Sequence, residues 1–367
     1  MRHPNARTAG LVVILSQLFG GAPASQASGP AHLVKDINTT PTVDSGSAPN
    51  RFLRVGGITF FMAKLPATGF ELWRTDGTEA GTVLVKDIQT GPSGSGPRPL
   101  LEVEEILFFS AYDNIHGIEL WKTDGTEAGT FLVKDSNPGP AGSGNGSITA
   151  ASGTLYFGAY DGANGDELWK SDGTEAGTVL VTEINPGPAS GFTIEGLNDV
   201  NGMLIFQADD GVHGQELWRS DGTGSGTVLI QDIAAGPAAS FPYQITLAGN
   251  RIFFGAQDET NGRELWTARS AILLNQPGRA LRDLGDEAKA LGLPVGIEAS
   301  LTAKLVAAAR ALDRKDGGST PILVLEAFMR EVKAQSPRHI PVASAPALLE
   351  FALEIAGLLE PDNQRSN

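Results

Sequence analysis

Between about residues 50 and 268 the chain alternates apolar and polar positions in short runs separated by turn residues, the period of half-buried strands. The stretch from Ser147 to Ile184 shows the plan. Ser147–Ala151 reads as a strand, Ser152-Gly153 as a two-residue hairpin turn and Thr154–Ala159 as a second strand. Asp166–Ser171 reads as a third, and the turn Asp172–Gly177 leads into a fourth, Thr178–Ile184. Gly56-Gly57, Asn201-Gly202 and Gly249-Asn250 occupy the same hairpin place and suit its positive φ angles, whereas Glu104-Glu105 departs from the pattern. From about Gln276 the period lengthens to that of helices. Leu281, Leu284, Ala288 and Leu291 form one stripe, and Leu301, Leu305, Ala308 and Leu312 a second. Ile322, Leu325, Phe328 and Val332 form a third, and Leu348, Ala352, Ile355 and Leu359 a fourth. Four short amphipathic helices imply a small bundle.

The strand pattern repeats. All five tryptophans, Trp73, Trp121, Trp169, Trp218 and Trp266, sit inside Glu-Leu-Trp at spacings of 48, 48, 49 and 48 residues. A four-stranded antiparallel meander repeated at this period is the pattern of a propeller blade. The fifth unit lacks the DGTxxGT turn and a fourth strand. His32-Leu-Val-Lys-Asp-Ile37 stands alone before the first unit and matches the fourth strands at Leu84–Ile88 and Leu229–Ile233. The expected fold is therefore mainly β: a five-bladed β-propeller of four-stranded antiparallel blades, the last closed by the N-terminal strand, followed by a small C-terminal α-helical bundle. Closure removes an exposed sheet edge.

Residues 31 to 268 resemble the ELWxxDGT repeat, or hyalin-like, proteins of bacterial surfaces and secretions. The motifs are ELWRTDGTEAGT at 71, ELWKTDGTEAGT at 119, ELWKSDGTEAGT at 167 and ELWRSDGTGSGT at 216, with ELWTARS at 264 departing from them. That resemblance implies an extracytoplasmic repeat module. The segments Gly296–Leu305 and Ala327–Gln335 are similar to the FIMAH domain, a helical module of exported bacterial proteins, which implies an attachment or spacer role. The expected organisation is a signal peptide at 1–27, the propeller at 31–270 and a FIMAH-like helical bundle at 276–360.

Arg2 and Arg7, the apolar run Leu11–Leu18 and the small-residue stretch Ala22–Ala27 fit a cleavable signal peptide. The run is too short to span a bilayer, so the chain is expected to be exported, to the cell surface, the periplasm or the medium, with no transmembrane segment. The chain has no cysteine, which excludes disulfides, thiolate metal sites and a Cys nucleophile. Without the leader, 25 basic residues face 42 acidic ones, a formal net charge of −17. Such a surface repels phosphate backbones, so nucleic acid is not an expected partner.

The five tryptophans are expected to be core between blades, with the paired carboxylates Glu71, Glu119, Glu167, Glu216 and Glu264 accepting hydrogen bonds from backbone amides or a basic side chain. Asp76, Asp124, Asp172 and Asp221 are expected to cap the DGT turns. Asp113, Asp161, Asp209, Asp210 and Asp258 lie in the loops after the second strands, where oxygen-rich turns suit Ca²⁺, although they lack the EF-hand spacing. His116 and His213 share those loops. A catalytic set is not expected, since identical acids repeated around an axis do not supply the differently tuned groups that a reaction centre needs. The expectation for function is a non-catalytic binding or adhesion propeller recognising an extracellular glycan, peptide or envelope component. The alternatives are a Ca²⁺-stabilised structural surface or matrix protein and a polysaccharide hydrolase or lyase.

Overall fold

The computed structural model describes residues 31–40, 46–144, 148–191, 196–313 and 320–359. The expected signal peptide lies outside them. Nineteen strands among these residues form five antiparallel sheets in chain order, and five helices follow. The first sheet is β1 (Asn50–Val55), β2 (Ile58–Leu65), β3 (Gly69–Thr75) and β4 (Val83–Lys86). The second is β5 (Arg98–Val103), β6 (Ile106–Asp113), β7 (Gly117–Thr123) and β8 (Phe131–Lys134). The third is β9 (Ile148–Ala151), β10 (Thr154–Ala159), β11 (Glu167–Ser171) and β12 (Val179–Thr182). The fourth is β13 (Asn198–Val200), β14 (Met203–Asp209), β15 (Gln215–Ser220) and β16 (Val228–Gln231). Each of the four is a simple meander. The fifth sheet has three strands only, β17 (Tyr243–Ala248), β18 (Arg251–Asp258) and β19 (Gly262–Arg269).

The expected closure does not form. Residues 31–40 contain no strand, and β19 pairs with β18 alone. Ile37 packs instead on Phe61, Ala63 and Trp73 of the first sheet, and Lys35 Nζ donates to Thr82 O at 2.8 Å. The array is therefore open, a propeller-like succession of sheets whose first and last members share no strand pairing and no apolar cluster among the described residues.

The core lies between successive sheets. Within each Glu-Leu-Trp strand the leucine and tryptophan point to opposite faces. Leu72 thus faces the second sheet and packs with Leu107, Phe109 and Ala111, while Trp121 of the second sheet turns back toward Phe60 and Val85 of the first. The same arrangement recurs around Leu120 with Trp169 and around Leu168 with Trp218. Each interface takes one leucine from the preceding unit and one tryptophan from the following one, which is why both residues repeat.

The hairpin turns carry the positive φ angles that the sequence pattern requires. Asn201 and Gly202 sit at 56° and 84°, and Ser152 and Gly153 at 51° and 78°. Glu104 and Glu105 adopt the same left-handed conformation, at 51° and 64°, without the residues that favour it.

The helices are a single turn α1 (Ser270–Leu273), then α2 (Pro277–Ala290), α3 (Val295–Asp313), α4 (Thr320–Gln335) and α5 (Ala345–Leu359). Pro277 opens α2, where its missing N–H costs nothing. Each of the four longer helices packs on the next, and α5 returns to α2. Their shared core buries Leu281, Leu284, Leu301, Leu305, Leu325, Phe328, Leu348 and Ile355, the positions that the helical period selects.

Replacing Glu104-Glu105 by Asn-Gly relieves two left-handed glutamates and is expected to raise unfolding stability by about 1 kcal/mol, measured by urea titration.

Candidate functional site

Three polar constellations recur in the array. The first explains the DGTxxGT motif. Asp76 Oδ1 accepts from Thr78 N at 2.9 Å and Thr78 Oγ1 at 2.7 Å, and Thr78 Oγ1 in turn accepts from Gly81 N at 2.9 Å. Thr82 Oγ1 donates to Thr78 O and lies 2.7 Å from Thr75 Oγ1. A Cβ on Gly81 would collide with the Asp76 carboxylate, so the second glycine is required by contact. Asp124, Asp172 and Asp221 repeat the arrangement. The threonine hydroxyl and amide hydrogen bonds hold all four aspartates below the usual carboxylate range. These residues are turn caps.

The second constellation holds the acids expected to bind Ca²⁺. Asp113 Oδ1 accepts from Ile115 N and His116 N, while its Oδ2 lies 2.8 Å from His116 Nδ1. Asp210 binds Val212 N, His213 N and His213 Nδ1 in the same way. Asp161 and Asp258 use Asn164 and Asn261 where the other two use histidine. Asp209 accepts from Gly211 N. Burial of Asp113, Asp161 and Asp210 opposes ionisation, but the hydrogen bonds they accept outweigh it and hold their carboxyls low. The hydrogen bonds to Asp113 and Asp210 push both imidazoles above their usual value. Asp113, Asp161 and Asp258 are each engaged in a turn of their own, and Asp209 and Asp210 share one. Among the described residues no three His, Asp or Glu side chains gather in a way that could hold a metal ion.

The third constellation links one unit to the next. Glu71 is fully buried, and its carboxylate accepts from Ile88 N, Gln89 N and Ser95 N, with Ser95 Oγ donating at 2.5 Å. Ser95 stands in the lead-in to the second sheet. Glu119 takes Asn137 N and Ser143 Oγ, Glu167 takes Ile184 N, Asn185 N and Gly191 N, and Glu216 takes Ile233 N, Ala234 N, Ser240 N and Ser240 Oγ. Each carboxylate thus ties down the segment that enters the following sheet. Burial pushes the Glu71 and Glu119 carboxyls up against the pull of these hydrogen bonds, and takes Glu167 to about 7. The sequence reading expected amide donors for these glutamates but not the serine partner. Its signal was present, because Ser95, Ser143, Gly191 and Ser240 each lie 24 residues after their glutamate.

Glu264 and Trp266 do not follow the series. Glu264 is exposed and Trp266 half-buried, with its indole N–H donating to Ala256 O at 3.1 Å. The indole nitrogens of the other four tryptophans are buried without a protein hydrogen-bond partner.

No family model matches the chain, and no curated protein matches it. Among solved structures it is similar to puromycin hydrolase, at 15% identity over 61% of this chain and 36% of the other, with a TM-score of 0.38. It is also similar to a prolyl endopeptidase, at 13% identity over 58% and 32% with a TM-score of 0.39. TolB from Acinetobacter baumannii aligns at 12% identity over 49% and 42% with a TM-score of 0.31. The chain spans about a third of the length of the hydrolase and the endopeptidase. The neighbours so named are hydrolases and peptidases, and the expectation of a non-catalytic binding or adhesion propeller, to which they lend no support, is corrected by not being carried further.

The raised glutamates make folding pH-dependent. A carboxyl whose folded pKa exceeds its unfolded value binds more protons in the folded state, so its favourable contribution is lost as pH rises, for Glu167 from about 4.5, the ordinary glutamate value, to about 7. Thermal unfolding midpoints are expected to fall across that interval. Glu167→Gln, uncharged like the protonated carboxyl, removes part of this slope, so its stability relative to the unsubstituted protein is expected to rise between about pH 5 and pH 8. A flat pH profile in the unsubstituted protein contradicts this account.

Proposed function

We propose that the sheet array is an architectural mount that carries the helical bundle in a fixed position, in an exported protein of the ELWxxDGT type with a FIMAH-like end. The observation that carries this reading is the joint between the two parts. Arg269, the last residue of β19, is 7% exposed and points into the bundle. Its Nη1 lies 3.0 Å from Glu354 Oε2 on α5, its Nε lies 3.5 Å from Glu287 Oε1 on α2, and its guanidinium covers the Phe351 ring at 4.0 Å. One side chain thereby holds two helices to the end of the last strand.

The next residues leave no slack. Ser270 donates from both N and Oγ to Asn250 O in the β17–β18 turn. Ala271 belongs to the bundle core, and Leu274 to the core between the fourth and fifth sheets. A helix of one turn that places Ala271 in one core and is followed at once by Leu274 in the other acts as a rigid coupling, where a flexible linker would expose its backbone and avoid burial. The repeated acids support the same reading, because turn capping and unit-to-unit linkage engage them. The arginines at the start of the chain and the small-residue stretch before Ala27 support export.

In the full chain, Arg269→Ala is expected to cost about 2 kcal/mol and to make the segment around 270–276 cleavable by protease before the array unfolds. Independent tumbling of the bundle in the unsubstituted protein, read from NMR relaxation, overturns the mount. So does turnover of a peptide substrate that depends on residues of the array.

A further inference from the structure

The two ends of the array are complementary halves of one interface. The first four Glu-Leu-Trp leucines, Leu72, Leu120, Leu168 and Leu217, are at most 1% exposed because the following sheet covers them, whereas Leu265 is 75% exposed. Glu71, Glu119, Glu167 and Glu216 are fully buried on backbone amides, whereas Glu264 is exposed. Among the described residues the outer edge of β19 pairs with no strand, and an open groove of about 330 Å³ across the fifth sheet is lined by Tyr243 of β17, Phe254 of β18 and Arg263, Glu264 and Leu265 of β19.

The first sheet carries the missing half. Lys35 Nζ reaches Thr82 O at 2.8 Å, as Lys86 reaches Thr130 O at 2.7 Å and Lys134 reaches Thr178 O at 2.9 Å. In those two cases the lysine belongs to the fourth strand of the preceding sheet. Ile37 packs on Phe61, Ala63 and Trp73 as Ile88 packs beside Phe109, Ala111 and Trp121. Ser47 O accepts from Lys64 N as Ser95 O accepts from Tyr112 N and Ser143 O from Tyr160 N, which makes Ser47 the counterpart of the serines that bind glutamate. Residues 32–38 and Ser47 therefore stand against the first sheet as the end of a preceding unit would, yet no preceding unit pairs with them among the described residues. Leu33 is 76% exposed there and Phe52 is 62% exposed.

We propose that β19 of one copy of this chain binds residues 32–38 and Ser47 of a second copy, head to tail. The occupant follows from the repeat, since the four junctions inside the chain are built alike and the fifth has its halves at opposite ends of an open array. The register is that of β3 with β4, in which Leu72 faces Lys86, Trp73 faces Leu84 and Arg74 faces Val83. Leu265 then faces Lys35 of the second copy, Trp266 faces its Leu33 and Thr267 faces its His32. Glu264 accepts from the Ile37 and Asn38 amides and from Ser47. Such a contact buries two exposed edges and either closes a ring of copies or extends as a filament. It goes beyond the mount and does not depend on it.

The absence of cysteine makes the test clean. His32→Cys and Thr267→Cys are introduced in separate full-length proteins, mixed and oxidised. Facing Cβ atoms in such a ladder stand about 4.5–5.5 Å apart, close to disulfide range. The expected result is a mixed disulfide dimer that neither protein forms alone. Absence of that dimer overturns the proposal, as does a double variant that forms only an internal disulfide, which would show the chain closing on itself. Because both positions are exposed, the substitutions leave folding intact, and a second measurement reads the unmodified interface. Leu265→Lys is expected to weaken association of the otherwise unmodified chain at least about tenfold in sedimentation, and no change overturns the proposal.

Discussion

A buried carboxylate that accepts backbone amides from the next unit is the interaction on which the array depends. Sheets that pack face to face through leucine, phenylalanine and tryptophan have no directional preference of their own, since apolar burial is proportional to area. The hydrogen bonds of Glu71 to Ile88 N, Gln89 N and Ser95 N supply the direction. They fix where the chain leaves one sheet and where it enters the next. A charge placed there is costly without partners, so the glutamate and its amides are retained together or not at all.

Much of this was legible from spacing. Five Glu-Leu-Trp copies announced the repeat, and the turn pairs located the hairpins, because a two-residue hairpin constrains φ whatever surrounds it. The role of DGTxxGT as a cap was also legible, since an aspartate followed two residues later by threonine is a local device. Ring closure was not. It depends on the small rotation between successive sheets, which is set by side-chain packing across each interface and leaves no mark on periodicity. The turn bonds of the loop acids were equally hidden. Asp113 and Asp210 looked like loop ligands by type, but the histidine three residues on takes their second oxygen. Asn164 and Asn261 do the same in the alternate units, a regularity readable only once the turn is known.

The two parts of the molecule obtain their stability differently. In the array each unit contacts its neighbours, so stability is close to a sum over units and interfaces. The bundle instead gathers its leucines into one shared cluster. Arg269 and the single turn that follows it join the two regimes, which means that loosening in the fifth sheet is transmitted to the helices directly. Among the described residues the first sheet has no such coupling at its outer side.

The reach of the glutamate has a consequence for how the protein is made. Its serine partner lies 24 residues downstream, in the lead-in to the following sheet. As the chain emerges N-terminal end first, a unit has its strands before the segment that secures them, and it stays provisional until the head of the next has followed. Units are therefore locked in order from the N-terminal end, and a delay within any one unit holds its predecessor unlocked.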